Sequence, residues 1–98
     1  MMRDGDGAPL RLLPWPGQRG KRLYLSTDGP DSRLARAADA TEIIQLAMAA
    51  ELLDHSTAML TQYRPTTDEL RHLSSCLTSS LTDVLRIAES RGGRLGDG

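Results

Sequence analysis

The chain has 98 residues, of which 39% are hydrophobic and 26% are charged, and its formal net charge is −1. This composition indicates one folded globular domain and differs from the low-hydropathy, high-charge composition of disordered chains. A net charge near zero gives no general attraction to nucleic acid or to an anionic membrane. Aromatic residues make up only 3%, with no Phe, so an aliphatic core of packed helices is expected.

Cysteine content and hydropathy indicate the compartment. Cys76 is the single cysteine, so a disulfide within the chain is impossible. No charged-then-apolar leader opens the sequence, and no apolar run approaches the ~20 residues that cross a bilayer. These features predict a cytoplasmic protein that does not associate with membranes.

The two ends of the chain differ from its middle. Residues 1–8 and 92–98 are rich in Gly and polar residues and are predicted to be disordered, which leaves 9–91 as a single domain. Range 10–26 has two short stretches rich in Leu and aromatic residues around a Pro-Gly turn, and it is predicted to form a β-hairpin. Pro14 limits the first strand, because proline cannot donate a hydrogen bond to a strand ladder.

Two long stretches rich in helix-forming residues follow, 30–63 and 66–91. Thr66 and Glu69 fit a capping box at the start of the second helix, and Gly92 is expected to end it. The short connection between the helices predicts that they run antiparallel. The predicted fold is therefore α-rich α+β, an N-terminal β-hairpin followed by an antiparallel pair of long helices.

The apolar positions of the helices predict how they pack. The second helix has one apolar stripe, predicted to be buried, at Leu70, Leu73, Leu77, Leu81, Val84 and Ala88. The first helix has two offset stripes, so its middle is apolar nearly all round. One helix and a short hairpin are a small cover for so much apolar surface, and a homodimer is expected to bury the rest. The residues expected at the dimer interface are Ile43, Ile44, Leu46, Ala47, Met48 and Leu52.

Candidate chemical groups are few. Glu51 with His55, and His72 with Cys76, are i,i+4 pairs that would form a metal site if the helices aligned them. Such pairs also arise by chance, and Cys is most often a small buried hydrophobic residue, so no metal site is predicted. The serines lack a Gly-flanked turn and an ordered His–Asp partner. We therefore predict no catalytic residue, no metal and no cofactor.

One cluster of basic and aromatic residues lies in the hairpin: Trp15, Arg19, Lys21, Arg22 and Tyr24. Such a cluster binds nucleic acid by charge and stacking in some proteins. It is equally typical of a solvated turn over two core aromatics, and the near-neutral chain favours that interpretation. A direct nucleic-acid-binding protein that uses the basic hairpin remains the alternative.

Several segments occur in a characteristic order along the chain: Leu13-Pro14-Trp15, Gly20-Lys21, Tyr24-Leu25-Ser26, 42–48 (EIIQLAM), 51–55 (ELLDH), Glu69-Leu70-Arg71 and 83–92 (DVLRIAESRG). In this order they resemble the small BldB-type developmental regulators of streptomycetes. The resemblance covers residues 9–95, and an Arg-rich, Lys-poor composition agrees with a high-GC actinobacterial genome.

The resemblance implies a function that the composition does not. It implies a non-enzymatic, self-associating protein that is required for aerial growth and sporulation and that binds a helix-turn-helix transcription regulator. The hairpin cluster of Trp15, Arg19, Lys21, Arg22 and Tyr24 is the expected partner-binding surface, because aromatic and Arg side chains often anchor interfaces.

Overall fold

The N-terminal segment forms the predicted β-hairpin. In the computed structural model, which describes residues 10–26 and 32–95, strand β1 (Leu10–Leu12) pairs antiparallel with strand β2 (Tyr24–Ser26). The strands are short because Pro14, two residues after the end of β1, has no N–H to continue the ladder.

Backbone hydrogen bonds stabilise the hairpin turn, and two of its residues have a left-handed backbone conformation. The N–H of Leu13 donates to the carbonyl of Leu23 at 2.8 Å, next to the strand ladder. The turn itself contains a short 3₁₀ segment, Gln18–Gly20. Arg19 and Gly20 have φ values of 58° and 73°, and such a conformation suits Gly because it has no Cβ.

Two long helices follow, α1 (Ser32–Gln62) and α2 (Thr67–Leu95). The helical hairpin was predicted, and its boundaries agree within a few residues except at the C-terminus. The prediction that Gly92 ends α2 was wrong, because the helix continues to Leu95. A Gly ends a helix when it adopts a positive φ, and among the described glycines only Gly20 does so. The predicted start at Pro30 lies outside the described residues.

The start of α2 has the predicted capping box. The backbone N–H of Glu69 donates to Oγ1 of Thr66 at 3.1 Å, and the N–H of Thr66 donates to Oε1 of Glu69 at 2.9 Å. Two N–H groups that would otherwise lack helical partners are therefore satisfied.

The molecule is elongated, and its core is small. The structure measures 55 × 25 × 24 Å with a radius of gyration of 16.8 Å, against ~13 Å for a compact domain of this length. The buried hydrophobic residues are Leu12, Leu13, Ala38, Met59, Leu73 and Ile87. Most of them lie near the β-hairpin, and Met59 and Leu73 lie near the connection between the helices. The middle of the helical pair has no buried large hydrophobic residue among those described.

The predicted buried stripe of α2 was wrong in part. Leu73 is buried and Val84 is half-buried, but Leu81 is 59% exposed and Ala88 is also exposed. Toward the C-terminal end of α2 the buried residues are Ile87, which flanks the predicted stripe, and Ser90. The buried face of α2 is therefore rotated around the helix relative to the predicted stripe. The reason is that polar residues occupy part of the contact between the helices, whereas a hydropathy pattern places only apolar residues there.

Within residues 32–95, neither helix has the length of apolar sequence that crossing a membrane requires.

Candidate interaction surfaces

The helical pair exposes a continuous set of leucines, which we call the apolar face: Leu46, Leu53 and Leu60 of α1 with Leu70, Leu77 and Leu81 of α2. Leu53 is 63% exposed and Leu81 is 59% exposed, while Leu46 is half-buried. The α1 residues recur every seven positions, the spacing of a helix seam that packs against another helix. Single exposed leucines are ordinary, whereas a row of them on both helices is typical of interaction surfaces.

The two rows lie on the same side of the helical pair. Leu52 of α1 and Cys76 of α2 line one groove between the helices, so they are level with each other. The next residue in each helix, Leu53 or Leu77, is rotated by about 100° around its axis. Because the helices are antiparallel, the two rotations have opposite senses and bring both leucines to the side away from the groove.

The groove on the opposite side is lined by both apolar and polar residues. It has a volume of about 350 Å³, and its floor and rim include Met48, Leu52, Cys76, Ser79 and Asp83. Most of its α2 residues are small or polar. Both sides of the helical pair therefore present apolar side chains, but on the groove side hydroxyl, thiol and carboxylate groups accompany them.

The six residues predicted at the dimer interface do not form one surface. Leu52 is half-buried between the helices, and Met48 lines the groove. Helical periodicity places Ile44 on the groove side and Leu46 on the apolar face. The exposed residues Ile43 and Ala47 lie on the outer surface of α1, away from α2. The predicted set wraps around α1 because it combines residues of the two offset stripes of that helix.

Two threonine hydroxyls beside the apolar face are already hydrogen-bonded. Oγ1 of Thr57 donates to the carbonyl of Leu53 at 2.8 Å, and Oγ1 of Thr78 donates to the carbonyl of Ser74 at 2.8 Å. These are i−4 hydrogen bonds within one helix. Covering these threonines with apolar surface would therefore leave no hydroxyl donor unpaired.

The predicted partner-binding cluster lies on the hairpin, but its members differ in exposure. Arg19 and Lys21 are exposed, whereas Trp15 and Tyr24 are half-buried. Arg22 is held by α2, because its guanidinium contacts Oε1 of Glu89 at 2.7 Å. Hydrogen bonding with the side chain of Tyr24 and then the charge of Glu89 raise the pKa of Arg22. Arg19 and Lys21 therefore present the free basic charge of the hairpin.

A buried ion cluster fixes the hairpin on the helices. The side chain of Arg11 in β1 reaches Oδ1 of Asp39 at 2.7 Å and Oε2 of Glu42 at 3.2 Å. Glu42 is only 2% exposed, and Arg91 of α2 approaches its other oxygen at 3.6 Å. Nε2 of Gln45 donates to the carbonyl of Pro14 at 2.9 Å. One carboxylate thus links β1, α1 and α2, a contact that the apolar pattern did not predict.

The candidate metal ligands are not brought together. Sγ of Cys76 lies 3.6 Å from Nε2 of His72, as expected for an i,i+4 pair. Among the described residues, no group of three or more His, Cys, Asp or Glu side chains is arranged to hold a metal ion. The cluster with Glu51 and His55 considered above is therefore not formed in the described part of the chain.

Comparison of the chain with protein-family models, with curated proteins and with solved structures finds no significant match.

Proposed function

We propose that this protein is a non-enzymatic, homodimeric regulatory protein of the cytoplasm, which acts by binding another protein. The observation that supports this most is the excess of exposed apolar surface: eleven large hydrophobic residues are exposed among those described, against five large ones that are buried. Surface of this kind is typical of protein–protein contact. An elongated domain with so small a core also gains stability when a second copy covers part of it.

The resemblance to BldB-type regulators extends this proposal to a biological role. In that role the protein controls developmental gene expression, in aerial growth and sporulation, by binding a helix-turn-helix transcription regulator. The hairpin carries the contact, because Arg19 and Lys21 are exposed there beside the half-buried Trp15 and Tyr24. Half-buried aromatics with exposed basic neighbours are typical of interface anchors.

The test reverses the charge of the hairpin without disturbing its attachment. Arg19→Asp suits the left-handed backbone at that position, and Lys21→Glu is combined with it. Arg22 is left unchanged because it holds Glu89. Arg64→Glu, an exposed basic residue in the connection between the helices, is the matched control.

Tagged wild-type protein is purified from its own cells, and the captured proteins are identified by mass spectrometry. We expect a helix-turn-helix regulator, lost with the hairpin variant and retained with the Arg64→Glu control. Capture of no DNA-binding protein would contradict the regulatory role. Retention of naked DNA by purified protein, weakening steeply as salt rises, would instead indicate the alternative, direct nucleic-acid binding.

A further inference from the structure

We infer that the apolar face is the surface through which two copies of the chain associate, and that the groove side stays exposed in the dimer. This inference rests on the proposed function, which requires a dimer but does not say which surface forms it. It also replaces the six predicted interface residues, which do not share one face.

The first support is the size of the face. Leu46 and Leu60 are about 21 Å apart along α1 at 1.5 Å per residue, and two packed helices are about 20 Å wide, so the face covers on the order of 400 Å² in projection. Protruding leucines raise the accessible area above the projected area, toward the ~800 Å² per partner of a standard stable interface.

The second support is the absence of charge on this face. Between its leucines, helical periodicity places small or hydroxyl residues, namely Ala50, Thr57 and Ser74, while Thr78 and Arg71 lie at its outer edge on α2. A twofold dimer brings each patch against its own copy, so like charges would meet if the patch were charged. An uncharged patch is complementary to itself, and this identifies a second copy, rather than a charged partner, as the occupant.

The third support is that the threonines of the face need no external partner. The hydroxyls of Thr57 and Thr78 already donate within their own helices. A dry interface can therefore form over them without an unpaired donor. The groove side differs, because its rim has the carboxylate of Asp83 and the exposed hydroxyls of Ser75 and Ser79.

The chain offers matched pairs of variants for the test. Leu53→Glu on the apolar face is compared with Met48→Glu on the groove side, since these side chains are 63% and 62% exposed. Leu81→Glu is compared with Ile44→Glu, both 59% exposed. A charge at any of these positions is accommodated by a monomer, because each side chain already faces solvent there.

Sedimentation equilibrium is measured over a range of protein concentrations, with circular dichroism as the check on folding. We expect wild-type protein at twice 10.7 kDa. We expect Leu53→Glu and Leu81→Glu to raise the dissociation constant of the dimer at least 100-fold, and their two controls to change it less than 3-fold. A monomeric wild-type protein would overturn the dimer of the proposed function. A wild-type dimer that the controls weaken equally, or that the face variants leave intact, would overturn only the assignment of the face.

A second measurement covers the case in which the face variants unfold. In a Cys76→Ser background, Leu53→Cys and Met48→Cys are labelled with a maleimide at concentrations where the protein is dimeric. We expect Leu53→Cys to react at least tenfold more slowly than Met48→Cys, although the two positions are equally exposed in the single chain. Equal labelling rates would show that the apolar face is not covered in the dimer.

Discussion

Replacement of Arg11 by Met tests the buried ion cluster that joins the hairpin to the helices. The substitution keeps an unbranched apolar side chain in place of the Arg stem but removes the guanidinium. Glu42, which is 2% exposed, then loses the contact at 3.2 Å and retains Arg91 at 3.6 Å. Asp39 also loses a partner, but its side chain is 63% exposed, so water replaces the lost contact.

The expected loss of stability is the difference of two effects. Removing one partner from a buried ion pair costs about 3–5 kcal/mol, and the low end applies because Arg91 still contacts Glu42. Against this, Nε of Arg11 is buried without a hydrogen-bond partner, and its removal recovers about 1 kcal/mol. The free energy of unfolding should therefore fall by about 2 kcal/mol, which lowers the melting temperature of a domain this size by about 8–16 °C.

Arg22→Met is the matched control, because it removes a guanidinium from the other ion pair between hairpin and helix. That pair is exposed, with side chains 58% and 46% accessible, so its loss should destabilise the protein much less than the loss of the Arg11 guanidinium does. Both variants are melted at one protein concentration, since association also changes the apparent stability. If Arg11→Met lowers the melting temperature no more than Arg22→Met does, the buried cluster does not hold the hairpin as described.

Two further substitutions test the helix ends by urea or thermal unfolding. Thr66→Ala should lower the free energy of unfolding by about 1 kcal/mol, because the N–H of Glu69 loses its acceptor, while Thr66→Ser should be nearly neutral; an unaffected Thr66→Ala would place the cap elsewhere. Gly92→Ala should raise it by about 0.5–1 kcal/mol, since Gly92 is helical and a Cβ there meets nothing within 4 Å. Gly20→Ala is the contrasting control: at φ +73° the added Cβ should destabilise the protein by about 1 kcal/mol. If Gly92→Ala is destabilising as well, α2 ends at Gly92 as the sequence predicts.

Element types and order follow from the sequence because their signals are local. Turn residues separate the two strands, and uninterrupted helix formers make α1 long. Thr66 and Glu69 specify the start of α2 through a motif of four residues, and the hydrogen bonds are as that motif predicts. The end of α2 was missed because a Gly is compatible with both a helix and a helix stop, and only its φ distinguishes them.

The arrangement of the surfaces was harder to predict, because it depends on polar residues that a hydropathy pattern treats as exposed. Glu42 and Ser56 are buried on α1, where Glu42 binds Arg11 and Ser56 donates to the carbonyl of Leu52 at 2.6 Å. A hydropathy pattern assigns the face of α1 that contacts α2 to the neighbouring apolar residues instead. The predicted contact face is therefore displaced around the helix axis from the observed one. The available signal in the sequence was Arg11, which stands between leucines in a short strand. An Arg that is buried there requires a carboxylate close by, and this indicates a buried acidic partner.

The rotation has a direct consequence for interaction. Because polar residues take part of the contact between the helices, leucines that would fill a core are displaced to the surface of both helices, as Leu53 and Leu81 are. The ion cluster of Glu42 is at the hairpin end of the pair, so that end is held by directional contacts within one chain. Toward the connection, the helices are left with leucines that a second chain can cover. The buried polar residues that keep the hairpin in place thus also account for the apolar face. For this reason the loss of the Arg11 guanidinium should affect stability, whereas a charge at Leu53 should affect association.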